Sequence, residues 1–84
     1  MSLETVRLLY PTLQRYAGWL DRGRASVAVR ADVASLGMAI DAGGETSSVL
    51  SALDTSIARL PTSAMRRILR GAVVEIRHAL EDRR

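Results

Sequence analysis

Apolar residues recur along the chain at the spacings of three and four that place them on one face of an α-helix. In the first segment, residues 2–22, this stripe consists of Leu3, Val6, Tyr10, Leu13, Ala17 and Leu20. Pro11 lies inside the stripe without changing its phase, although proline removes a backbone hydrogen bond from a helix interior. The segment therefore predicts one helix kinked at Pro11 or, alternatively, a short turn to Leu9 and a helix that begins at Pro11.

The same helical spacing continues in three further segments: residues 24–42, 46–60 and 62–82. Their predicted core positions are Val29, Val33, Leu36, Ile40, Val49, Leu50, Leu53, Ile57, Leu60, Met65, Leu69, Ala72, Val73, Ile76 and Leu80. Gly23, Gly43-Gly44 and Pro61 separate the segments, and glycine and proline are common where helices end.

The four segments together predict the fold class. Four amphipathic helices joined by loops of about two to five residues imply antiparallel neighbours. We expect an all-α protein: a small antiparallel four-helix bundle with up-down-up-down topology, forming a single helical domain over residues 1–84. Thr46 or Ser47, and Thr62 or Ser63, are suited to cap the last two helices. No strand pattern and no internal sequence repeat is evident.

Composition narrows the function classes. The chain has no cysteine and one histidine, which excludes disulfide scaffolds, zinc fingers, iron–sulfur sites and thiol catalysis. No apolar run approaches the roughly 20 residues that span a bilayer. The first residues do not combine a basic region with an apolar stretch, as a signal peptide would. We therefore expect a cytoplasmic protein with no membrane partner.

The residues that carry catalytic chemistry elsewhere do not form a recognisable site here. His78 lies away from the apolar face of its helix, which favours a solvated side chain with Asp82 as a candidate partner. The alternative is a phosphoacceptor histidine in a four-helix phosphotransfer domain. Glu75 and His78 have the Glu-x-x-His spacing of carboxylate-bridged metal sites, but such sites need two of these motifs facing the bundle interior. We expect no enzyme activity, no cofactor and no metal.

The basic residues are all arginines, twelve in number, and the formal net charge is +3. A GC-rich coding sequence of bacterial type explains this bias, and selection for bidentate recognition of carboxylate or phosphate is the alternative. Residues 62–84 hold six arginines against three acidic residues, so the positive surplus lies there. The Arg stripe of this segment consists of Arg66, Arg70, Arg77 and Arg84. It predicts either a solvated face or a contact with a phosphate backbone or an acidic partner.

Three features favour a protein interface. The second segment is apolar or small nearly all round, which is typical of a central or an oligomer helix. The first segment has residues off its main stripe: Leu8, Arg15, Trp19 and Arg22. Trp19 either widens the core face or anchors a partner, since Trp and Arg are enriched at interfaces. The third segment has a small, uncharged outer face: Ser48, Ser51, Ala52 and Thr55. Alternatively, the small faces of the second and third segments pack on each other inside one bundle.

Two stretches, LYPTLQRYAGWL at residues 9–20 and GMAIDAGGETSSVL at residues 37–50, resemble the N-terminal four-helix interaction domain of stress-response serine phosphatases. The similarity spans about half of the chain and consists of apolar spacing that helical bundles share. The resemblance implies a domain that dimerises and docks an activator protein. The expectations here depend on the residues and not on this likeness.

Together these observations predict a helical protein–protein interaction or regulatory module without catalytic activity of its own. Its expected partners are a second copy of the chain, as a homodimer, or another protein. The alternative is a small nucleic-acid-binding protein that uses the Arg stripe.

Overall fold

The computed structural model describes the backbone of residues 3–82 and the side chains of residues 4–81. It contains four α-helices: α1 Leu3–Gly18, α2 Arg24–Ala42, α3 Ser47–Ala58 and α4 Ala64–Asp82. Within that range there is no strand, and the predicted all-α bundle is confirmed. None of these helices combines the length and the apolar character that crossing a membrane requires.

The helices form a closed ring of four packed neighbours. Loops of five, four and five residues join them, so consecutive helices pack side by side and run antiparallel. α1 closes the ring by packing on α4, and the most extensive contacts are α1 with α4 and α2 with α3. In the described part of the chain, no Cα atom of α1 lies within 8 Å of one in α3, and the same holds for α2 and α4, so these pairs lie diagonally across the bundle.

The core is almost entirely apolar and follows the predicted stripes. The fully buried large side chains are Val6, Leu13, Val29, Leu36, Leu53, Ile57, Leu69, Val73 and Ile76. Every predicted core position whose side chain is described is buried or half-buried, while the side chain of Leu3 lies outside the described residues. Two serines, Ser26 and Ser56, are also buried, and each hydroxyl donates a hydrogen bond to a carboxylate.

Pro11 does not break the first helix. α1 runs continuously through it, so the alternative of a turn followed by a helix starting at Pro11 is wrong. Pro11 and Arg7 are both exposed. Water can therefore satisfy the Arg7 carbonyl that loses its partner at residue 11, which limits the cost of the proline.

The helix ends use local bonds that the sequence predicted only in part. Gly43 has a φ of 67° and ends α2, with its N–H donating to Ile40 and the N–H of Gly44 donating to Ala39. The Ser63 hydroxyl caps α4 by accepting the Arg66 N–H at 3.2 Å, as predicted. Thr46 is the N-cap residue of α3, as predicted, but its side chain makes no cap bond; the Glu45 carboxylate accepts the Ser48 N–H instead, because it reaches the same unpaired donors.

The two hairpins, α1–α2 and α3–α4, have the same kind of turn, at positions that are forty residues apart in the sequence. In the first hairpin, Trp19 and Leu20 donate backbone N–H bonds to the carbonyls three residues earlier, at 3.1 and 3.2 Å. In the second, Arg59 and Leu60 make the same bonds at 3.2 and 3.0 Å. Core positions correspond at the same offset: Leu13 and Leu53, Ala17 and Ile57, Val29 and Leu69, Val33 and Val73, Leu36 and Ile76. This structural repeat was not evident in the sequence because equivalent positions share apolar character rather than identity.

Candidate interaction surfaces

The α1 outer face, defined by Leu8, Arg15, Trp19 and Arg22, is exposed to solvent. Leu8 is 72% exposed and Trp19 is 64% exposed. Trp19 therefore does not widen the core face; its ring instead contacts Tyr16 edge-to-face, with centroids 5.3 Å apart. Arg15 and Arg22 are exposed as well. This surface combines two large apolar side chains with two positive charges.

The α3 outer face, defined by Ser48, Ser51, Ala52 and Thr55, is also exposed. Two of its hydroxyls already have local partners: Thr55 donates to the Ser51 carbonyl at 3.1 Å, and Ser48 donates to the Glu45 carboxylate at 3.0 Å. Because α1 and α3 lie diagonally across the bundle, the structure does not bring the two predicted surfaces together.

A third surface, on α2, was not among the predicted interface residues. The α2 seam, as we call it, consists of Val27, Ala31, Ala34 and Met38, and all four are exposed. Val27 is 53% exposed and Met38 is 74% exposed. The sequence contained the signal, since α2 is apolar on the side opposite its core positions as well as on the core side itself. These exposed positions repeat at spacings of four, three and four, as in a helix–helix seam.

The structure divides the predicted Arg stripe. Arg77 forms a 2.5 Å ion pair with Asp54 of α3, which ties α4 to its neighbour. Arg66 donates to the Thr62 hydroxyl at 3.1 Å and to the Leu60 carbonyl at 3.4 Å, both in the loop between α3 and α4. Arg70 is exposed, and Arg84 lies outside the described residues. The stripe is therefore not one continuous row of solvated guanidinium groups.

A smaller basic cluster remains at the start of α4. Arg66, Arg67 and Arg70 line a shallow cleft together with Thr62 and Ser63. No acidic side chain lines this cleft. The cluster is suited to contact an anionic group, although one of its three guanidinium groups is already used within the bundle.

A larger cleft, of about 730 Å³, lies beside the loop between α2 and α3. Its lining is polar and includes Glu45, Asp54, Arg77 and Glu81. Glu45 caps α3 and Asp54 pairs with Arg77, so three of these four charged groups make structural contacts. Across residues 4–81, no three His, Asp or Glu side chains come close enough to hold a metal ion.

His78 and Glu75 are both exposed on α4. The side chain of Asp82, the candidate partner of His78, lies outside the described residues. His78 therefore lies where a solvated histidine was expected, on the outward side of the helix.

Three groups have shifted pKa values that trace to local contacts. The Ser26 hydroxyl and the Gly23 N–H donate to the Asp21 carboxylate and lower its pKa. The Ser48 hydroxyl and N–H lower the pKa of Glu45 in the same way. Burial, and then the charge of Asp41, raise the pKa of Tyr10. Each shift is explained by a turn, a cap or an interhelix contact.

Comparison with known proteins adds no relative. The chain matches no protein-family model, no curated protein and no solved structure.

Proposed function

We propose that this protein is a helical protein–protein interaction module that self-associates and has no catalytic activity of its own. The observation that carries the proposal is an uneven distribution of exposed apolar side chains. Leu8, Trp19, Val27 and Met38 are each more than half exposed, and all four belong to the first hairpin. Contiguous exposed apolar surface usually marks an interface, and Val27 and Met38 share one face of α2.

The geometry favours association through helix faces. The side chains concerned project from the regular helices α1 and α2 or, for Trp19, from the turn between them. A partner can therefore be buried against the bundle without unfolding any part of it. Two-fold dimers are the commonest oligomers, and a chain of this size gains stability by burying such surface.

The direct test is the mass in solution, measured by light scattering over a dilution series. We expect a species of about twice the 9.1 kDa chain mass that dissociates on dilution. A mass of one chain throughout the series would contradict self-association.

A second candidate function is nucleic acid binding through the basic cluster of Arg66, Arg67 and Arg70. What supports it is the cleft without acidic side chains at the start of α4. Binding of nonspecific duplex DNA that weakens steeply with salt, and weakens again in Arg70→Gln, would favour this candidate. Binding that is absent at low salt would exclude it.

A further inference from the structure

We propose that α2 docks antiparallel against α2 of a second copy of this chain, through the α2 seam. The inference rests on the proposed function, because it names the face through which the chain would self-associate. It also moves the contact away from Trp19, which the sequence favoured as an anchor.

The seam is an apolar row that the bundle leaves uncovered. Val29, Val33, Leu36 and Ile40 fill the core from one side of α2. Val27, Ala31, Ala34 and Met38 form a second row on the opposite side, in solvent. A helix with apolar rows on two opposite sides is suited to lie between two packed layers. The second layer must come from outside the four helices.

The sizes of the seam residues are self-complementary in one orientation. A two-fold axis through the point midway between residues 32 and 33 relates two antiparallel copies of α2. This arrangement brings Val27 opposite Met38 of the second copy. It also brings Ala31 opposite Ala34, so small residues meet at the centre, where the two helix backbones approach most closely. The larger side chains then cover both ends of the contact.

The charges at the margins of the seam agree with the same orientation. Arg24 and Asp41 are both exposed and lie at equal distances from the axis. Each Arg24 is therefore level with Asp41 of the other copy, so that opposite charges meet at both ends. A parallel arrangement would instead bring Arg24 level with Arg24 of the second copy, and Asp41 level with Asp41.

The other outward faces are poorer partners for themselves. In a two-fold contact, a patch meets the identical patch of the other copy. The only charged residues of the α1 outer face are Arg15 and Arg22, so two copies of this face would bring positive charges together without acidic partners from it. The basic cluster of α4 would likewise meet a second positive cluster. The α3 outer face has no net charge, but it contributes no large apolar side chain to bury.

Charge insertion tests the seam. Ala34→Glu places a carboxylate at its centre, and Ala52→Glu makes the same change on the α3 outer face. Both alanines are exposed on helices and glutamate is a good helix former, so both variants should fold. By sedimentation, we expect Ala34→Glu to be a monomer and Ala52→Glu to remain a dimer. A dimer that persists in Ala34→Glu, including one formed by hairpin exchange, would overturn the seam.

Cross-linking tests the orientation, since the chain has no cysteine to interfere. Val27→Cys and Met38→Cys are oxidised separately and as a mixture. We expect a disulfide-linked dimer only in the mixture. In the antiparallel contact, like positions are about 16 Å apart along the helix, and a disulfide needs Cα atoms within about 7 Å. Efficient cross-linking of either variant alone would overturn the antiparallel orientation.

A third variant separates this inference from the proposed function. Loss of the dimer in Trp19→Asp but not in Ala34→Glu would keep self-association and overturn the seam. A wild-type chain that is monomeric at every concentration would overturn both.

Discussion

The first and second hairpins have equivalent cores and unlike outer surfaces. Their turns make the same backbone bonds and their buried positions correspond. Outside, the first hairpin presents side chains that are more than half exposed: Leu8, Trp19, Val27 and Met38. The large apolar side chains exposed on the second hairpin, Ile68 and Val74, are less than half exposed. The shared core accounts for the fold. The exposed apolar side chains that distinguish the first hairpin are not needed for the fold and are therefore candidates for function.

The contacts that join the two helices of each hairpin also differ. In the first hairpin, the Tyr10 hydroxyl donates to the Val33 carbonyl at 2.7 Å, and the ring lies against Gly37. In the second, the position equivalent to Gly37 is Arg77, which pairs with Asp54. Equivalent positions 37 and 77 thus both contact the neighbouring helix of their hairpin, but through partners, Tyr10 and Asp54, that are not equivalent.

The largest expected effect tests whether the two cores are equivalent. Leu13 and Leu53 are both fully buried at corresponding positions. Leu13→Ala and Leu53→Ala should each lower the free energy of unfolding by about 2–5 kcal/mol, because each leaves a cavity. Denaturant unfolding measures both values. A large loss in only one variant would show that the hairpins do not contribute equally to the core.

A smaller effect is expected at the glycine contact. A Cβ on Gly37 would overlap the Tyr10 phenol. Gly37→Ala should therefore displace the ring, break its bond to Val33 and destabilise the protein by about 1–2 kcal/mol. The raised pKa of Tyr10 should also fall back towards its ordinary value, which phenolate absorbance would report.

Gly71→Ala is the matched control, since nothing lies within 4 Å of a Cβ at that α4 position. It should stabilise the protein by about 0.5–1 kcal/mol, because alanine favours helix. If both alanine variants were stabilised, the Tyr10 contact would not restrict residue 37.

The ion pair of the second hairpin should contribute less. Its side chains are 35% and 42% exposed, so water screens the attraction. Arg77→Ala should cost about 0–1 kcal/mol, and the difference from the wild type should shrink as salt is added. A loss that exceeds this range and persists at high salt would mean that Arg77 also contributes by packing.

Lowering the pH should weaken the turn of the first hairpin but not the turn of the second. Asp21 lies in the turn of the first hairpin, and the equivalent position in the second is Pro61. The pKa of Asp21 is lowered in the folded state, so its contribution to stability is present above its ordinary pKa and is lost as the pH falls through the folded value. Asp21→Asn should therefore reduce the fall in the thermal midpoint between neutral and acidic pH. An unchanged pH profile in this variant would contradict the role of Asp21.

Apolar periodicity was sufficient to predict the four helices, their breaks and their core faces. Burial depends on the side of a helix on which a residue lies, and that side follows from spacing alone. The break at Pro11 was only an alternative, and the structure excludes it because α1 is continuous. The helix tolerates the proline because both residues affected by the missing bond face solvent. Thr46 is the N-cap residue of α3, as predicted, but the cap bond comes from Glu45, because this neighbouring glutamate competes for the same donors.

The surfaces could be predicted less well, because they depend on which helices become neighbours. Arg77 and Asp54 are 23 residues apart, so their pairing requires the register between α3 and α4. α1 ends at Gly18 rather than continuing to Arg22, so Trp19 lies in the turn, and its exposure depends on how that turn packs against the bundle. Whether the apolar far side of α2 is covered or exposed also depends on the arrangement of all four helices.

We propose that self-association uses the outward side of the first hairpin. Methyl NMR spectra recorded over a dilution series test it most directly, because each alanine and methionine methyl reports on its own surroundings. We expect the signals of Ala31, Ala34 and Met38 to move with concentration, while those of Ala52 and Ala58 on α3 stay in place. Concentration-dependent shifts at Ala52 and Ala58, with none on α2, would contradict the claim.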